Sequence, residues 1–335
     1  MIKPPKLFHV KHWKQKMKTS RIIITGIALI VVGWVVVFLF SNPGTFPPFL
    51  NALLMIILPI GLGIYIARKL GADWNTYAVG AVTWGITFIL HIVFNAWVLN
   101  PIMENLGLST NSTGMSLVWT GVLLGLAAGV FEETGRYLVY ARFLPKTRKW
   151  SEGLMLGAGH GGFESMFFGA WALYIFLQMV VLKDSSPEQL SALVSPEAME
   201  ATARQIAVYW NAPWYEMLLG SIERVNAIII HLAMSLLVLN AFRKKNILWF
   251  LASILWHTLT NAVAVYSVVA WGPYVTELLL FVIALLSIGI IYLLQKGDPD
   301  PEEKMIDNPA PPEPVLSTPQ EVNITTENLD DSRYD

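Results

Sequence analysis

Eight apolar runs, each about 20 residues long, leave this chain few ways to fold. An α-helix rises about 1.5 Å per residue, so each run is long enough to cross a bilayer core roughly 30 Å thick. The runs lie near 22–40, 49–67, 77–99, 116–141, 153–182, 214–242, 247–269 and 274–294. In lipid every backbone N–H and C=O must be bonded internally, and a bundle of helices meets that demand. The expected fold class is therefore all-α, a polytopic membrane bundle of about eight transmembrane helices. Composition agrees, because 54% of the 335 residues are apolar and only 14% are charged. The net charge of −1 argues against a nucleic-acid partner. With no cysteine, disulfides, thiolate metal ligands and a Cys nucleophile are all excluded.

Positive charge orients the bundle. With the N-terminus inside, 19 of the 23 Lys and Arg fall on inner segments or the two terminal regions, and only Lys183 and Arg204 fall outside. Both termini are thus expected in the cytoplasm of a multi-pass protein of the plasma membrane. Three regions follow: a basic N-terminus over 1–21, a membrane domain over 22–295, and an acidic, Pro-rich tail over 296–335. The first run lacks a small-residue cleavage site and reads as a signal anchor. The tail is expected to be disordered, since nothing in it can build a core. Residues 183–213 read as an outer loop with a short interfacial helix.

Ionisable residues interrupt the spans, where each costs roughly 2.5–3.5 kcal/mol on insertion scales. Span four holds Glu132, Glu133 and Arg136; span five holds His160 and Glu164; span six holds His231; span seven holds His257 and Asn261. At about 1.5 Å per residue these groups share one layer, roughly 10–16 Å from the inner helix ends. Glu132/Arg136, His160/Glu164 and His257/Asn261 are four residues apart, so each pair shares a helix face. Glu223-Arg224 sits nearer the outer end and reads as an interfacial pair locking span six to its neighbours. His91 reads as a packing histidine, and Gly153, Gly157 and Gly161 as a stripe for close helix approach.

Elimination narrows the chemistry. No Asp lies in a span, which excludes an aspartyl intramembrane protease, and no Ser sits in a GxSxG setting. A buried Glu can take a proton from water while Arg136 pairs with its neighbour, and His and Asn donors four residues apart can stabilise an oxyanion. His160, Glu164, His231 and His257 can equally bind Zn²⁺. With no HExxH and no Cys, however, the expectation is a site without metal or other cofactor.

The ordered set Glu132-Glu133-x-x-Arg136, Gly-His160-Gly-Gly-x-Glu164 and His257-x-x-x-Asn261 resembles the YhfC family of membrane peptidases. That family is similar to the CAAX prenyl endopeptidases and bacteriocin-processing proteins, and more distantly to PrsW and the APH subunit of gamma-secretase. The resemblance covers roughly residues 50–294. It implies an intramembrane endopeptidase of glutamic type, in which a Glu of the diacid motif and His160 activate water to hydrolyse a peptide bond, which the depth of the polar layer would put in the cytoplasmic half of the bilayer. His257 and Asn261 would then serve the oxyanion, and Glu133 and Arg136 would orient. The CAAX-type motif has three residues between the second Glu and the Arg. This chain has two, so either Glu132 or Glu133 can be the base; and with Leu156 where the family's second motif has Phe four residues before its His, His231 can be that motif's counterpart in place of His160. The implied partners are membrane lipid and a membrane-embedded or membrane-associated peptide substrate. A zinc-dependent version of the same enzyme stays open. So does a proton-coupled transporter or non-catalytic scaffold, although no internal repeat supports transport.

Overall fold

A computed structural model of the chain describes residue 33 and residues 35–295. Residues 35–41 are helical apart from any assignment to the rest of the first run, most of which lies outside the described residues. The basic N-terminus and the acidic tail lie outside them as well.

Seven helices long and apolar enough to cross a membrane follow, matching the remaining seven runs. The first, α1 (Phe46–Leu70), ends at Gly71, whose φ of 68° suits a residue without Cβ. Next comes α2 (Trp74–Phe94), started by Asp73, whose side chain accepts the Asn75 N–H at 3.1 Å. It runs through a π-helical turn, Asn95–Leu99, into the short α3 (Asn100–Asn105). Helix α4 (Gly114–Leu138) also passes into a π-helical turn, Val139–Phe143. Helix α5 (Trp150–Leu182) is the longest among the described residues. The 183–213 segment is more helical than one short interfacial helix, since it holds α6 (Pro187–Leu193) and α7 (Pro196–Asn211). Helix α7 buries none of its residues and is moored to the end of α5, where the Trp210 indole donates to the Met179 carbonyl at 3.2 Å. The last three spans are α8 (Leu219–Arg243), α9 (Leu248–Ala270) and α10 (Pro273–Gln295).

Apolar side chains face outward all around this bundle. Val82, Ile86 and Ile89 on α2 are exposed, as are Leu278, Phe281 and Leu285 on α10. Such a surface is stable against acyl chains, not water. One helix is different: 78% of the membrane-crossing stretch of α8 is buried, against 17–39% in the other spans. Helix α8 is the axis, packed on α1, α4, α5, α9 and α10. Helix α2 packs on α5 and α4, and α4 lies along α9.

Without a hydrophobic drive between helices in lipid, close approach through small residues sets which faces meet. Gly153, Gly157 and Gly161 do face α8, where added Cβ atoms would meet Leu236, Leu232 and His231. A second stripe, Gly121, Gly125 and Gly129, lays α4 against Ala262, Thr258 and Ile254 of α9. Gly80 and Gly159 bring α2 and α5 together so tightly that a Cβ at Gly159 overlaps the Tyr77 carbonyl oxygen. Gly159→Ala is expected to destabilise the protein by about 1–3 kcal/mol, the usual cost of overpacking, read as a lowered thermal midpoint in detergent. These contacts bring α4, α5, α8 and α9 together at the depth of the polar layer.

Candidate functional site

The eight residues expected to carry the chemistry come from four helices, and the structure gathers them around the middle of α8. The two glutamates of α4 are adjacent in sequence, about 100° apart around the helix, and meet different neighbours. Glu133 is fully buried and heavily bonded. It is ion-paired with Arg136 one turn on, and Oε1 also accepts from His257 Nδ1 at 2.8 Å. Its Oε2 accepts from the Ser253 hydroxyl at 2.6 Å. Ser253 was not among the expected site residues. It lies one turn before His257 on the same face, a spacing that could have pointed to it.

Glu132 has fewer partners and lies at the edge of a cavity. His160 Nε2–H donates to its Oε2 at 2.9 Å, and His257 Nε2 lies 4.0 Å from the same oxygen. His160 is fully buried, and its Nδ1 has no partner among the described residues. His231 stands between two charged groups. Arg136 Nη2 donates to its Nδ1 at 2.6 Å, and its Nε2 lies 2.7 Å from Glu164 Oε2. The rings of His160 and His231 are 5.2 Å apart, and those of His231 and His257 are 5.7 Å apart. Asn261, one turn beyond His257, lines the same cavity as Glu132 and His257.

The pair expected only to lock span six belongs to this network. Arg224 pairs with its neighbour Glu223 and donates from Nη1 to Glu164 Oε1 at 2.8 Å. Glu164 therefore holds Arg224 with one oxygen and meets His231 with the other. A polar chain runs without a break from Glu223 through Arg224, Glu164, His231, Arg136 and Glu133 to His257. The reason is reach: Arg224 and Glu164 have side chains long enough to join helix faces that sequence spacing alone assigns to different depths. His91 stays apart. It bonds Asn95 on its own helix at 2.9 Å and packs on Phe131, 6.2 Å between centroids.

Glu132, His160 and His231 each offer one ligand atom, and the three atoms lie within 4.8 Å of one another, all buried. Two imidazoles and a carboxylate from three helices are a donor set that suits zinc and leaves a further coordination position. An ion shared by Glu132 and His160 would take the place of the Nε2–H between them, and the ring proton would then sit on the unpartnered Nδ1. The cavity beside this set has a volume of about 90 Å³, room for a few waters.

Comparison with known proteins adds an independent finding. Residues 54–284 match the family described as YhfC intramembrane metalloprotease. The chain is 33% identical over 217 residues to a Bacillus subtilis (strain 168) protein named "Uncharacterized membrane protein YhfC". That match takes in 64% of this chain and 82% of the relative. No solved structure matches.

Proposed function

The chain belongs to the YhfC intramembrane metalloprotease family, and on that premise we propose that Glu132, His160 and His231 are the residues that hold its catalytic metal. The chain is a multi-pass membrane protein and a hydrolase of the intramembrane protease class. The observation carrying the finer reading is the convergence of three ligating atoms, from α4, α5 and α8, within 4.8 Å beside a polar cavity. A zinc-class ion held there would polarise the scissile carbonyl and acidify water.

The chain's own residues divide the remaining work. Peptide hydrolysis forms a bond from water oxygen to the carbonyl carbon, breaks the C–N bond and moves a proton from water to the leaving amine. His257 gives Nδ1–H to Glu133, which fixes the ring and leaves Nε2 to take up that proton and hand it on. Glu133 cannot be the base itself, because Arg136, His257 and Ser253 occupy both its oxygens. Asn261, lining the same cavity one turn on, supplies an N–H donor for the developing oxyanion. Arg136 and Glu164 engage the two ring nitrogens of His231, so to ligate a metal the ring would give up one of these contacts and keep the other as its support.

A metal-free reading is favoured by the direct bond from His160 to Glu132, which couples a carboxylate and an imidazole as the glutamic-type mechanism needs. Metal content separates the two. Purified, active protein is expected to contain one equivalent of zinc or a similar metal, lost in His160→Ala together with activity. Full proteolysis by metal-depleted protein would leave the glutamic mechanism standing instead.

A further inference from the structure

The polar network is asymmetric along the bundle, and that asymmetry says where water and substrate come from. Toward the end bearing the α4–α5 connection, the site is capped by apolar packing. Tyr140, Met155, Leu156, Val238 and Leu239 are all fully buried there. The Tyr140 hydroxyl also bonds Ser235 across the gap at 3.0 Å. The ionic groups beside this cap, Glu133 and Arg136, have no exposed surface.

Exposure rises in the other direction. The side chain of Glu132 is 9% exposed, that of Glu164 is 16% and that of Glu223 is 28%. The cavity follows the same line, from Glu132 and His257 to Glu223, Ala264 and Leu280. Glu223 lies four residues inside the start of α8, and Ala264 lies six residues from the end of α9. Both are thus about 6–9 Å from the bundle end that carries α6 and α7. Charged groups on a protein wall at that depth persist where they meet water or one another, and here Glu223, Arg224 and Glu164 pair along the cavity wall.

We propose that the catalytic cavity is served from the end carrying α6 and α7, through a mouth between α8, α9 and α10. The substrate class is then a polypeptide segment presented on that face, the outer one by charge asymmetry, and not one delivered from the α4–α5 side. Glu223 and Arg224 edge the mouth, so an entering peptide meets paired charges of both signs before it reaches Glu132. This rests on the peptidase reading for what enters, but not for where the opening lies.

The chain has no cysteine, so single thiols can be read without background. Ala227→Cys and Ala264→Cys place a thiol on the cavity wall near the mouth. Asp184→Cys, in the α5–α6 connection, and Lys146→Cys, in the α4–α5 connection, mark the two sides of the membrane. Full-length variants in sealed vesicles are treated with a membrane-impermeant maleimide, from outside or after internal loading. Both cavity thiols are expected to react from the Asp184→Cys side on the order of tenfold faster than from the Lys146→Cys side, because access governs the rate. Faster reaction from the Lys146→Cys side, or equal or no reaction from both, overturns the proposal. Using two cavity positions guards against one variant failing to fold. Repeating the labelling in Glu132→Gln protein separates the claims: the access pattern is expected unchanged there, whatever becomes of catalysis and metal content.

Discussion

Glu132→Gln is expected to reduce proteolysis by at least the roughly 10²–10⁴-fold that loss of a catalytic carboxylate costs, while the protein still inserts and folds. Gln keeps the volume of Glu and an oxygen that accepts from His160 Nε2–H, so the contact seen at 2.9 Å can persist. What Gln lacks is the negative charge that binds a cation or takes a proton. In the metal-holding role, the same variant loses zinc affinity by more than the roughly 10–100-fold that changes in a ligand's own supports cost. Activity and metal content measured on one preparation check both. Retained zinc with lost activity would make Glu132 a base and not a ligand. Full activity would remove it from the chemistry altogether. Glu133→Gln is expected to act differently, because Arg136, Ser253 and the proton-carrying His257 lose the charged anchor they share.

The second large effect is on the fold. Arg136 is fully buried, pairs with Glu133 and donates to His231. Arg136→Ala removes the only cation bonded to Glu133 among the described residues, apart from whatever charge His257 carries. Breaking a buried pair by deleting one member costs about 3–5 kcal/mol, mostly from the charge left behind. The expected result is a steep fall in folded yield and thermal midpoint in detergent. Adding Glu133→Gln to Arg136→Ala removes the stranded charge and is expected to recover part of the loss, since replacing both partners is milder than replacing one. No recovery in the double variant would mean that the Arg136–His231 contact, not the ion pair, carries the stability.

These two variants touch neighbouring motif positions, yet their effects differ in kind because α4 turns Glu132 and Glu133 toward different surroundings. One reaches the cavity edge, where His160 and His257 converge on it. The other points into the core between Ser253, His257 and Arg136. On the proposed reading, the diacid motif is one carboxylate for chemistry and one for architecture. That division also explains why a spacing argument alone left the two interchangeable.

Much of the molecule is written in one dimension. Runs of about 20 apolar residues specify spanning helices because lipid leaves the backbone no other way to satisfy its hydrogen bonds. Seven of those runs reappear as α1, α2, α4, α5, α8, α9 and α10, with their ends displaced by only a few residues. The polar layer is legible too, since a fixed rise per residue converts position in a span into depth. The same rise puts Glu164 four residues from His160 and Asn261 four from His257 on shared faces.

Helical periodicity does not say how far each helix is rotated about its axis, nor which helix lies beside it. Those follow from packing. Glycine stripes on α4 and α5, seating α9 and α8 at near backbone contact, decide that Glu132, His160 and His231 meet as a set. An expectation of a metal-free site followed from the missing HExxH, which looks for ligands on one helix. Here the candidate ligands come from three helices: the sequence offers His160 and His231 among four possible Zn²⁺ ligands, and only packing sets Glu132 beside them. The place of Arg224 was hidden for a related reason. Its role depends on Glu164, 60 residues earlier, and on side-chain reach across a helix interface that only the folded bundle creates.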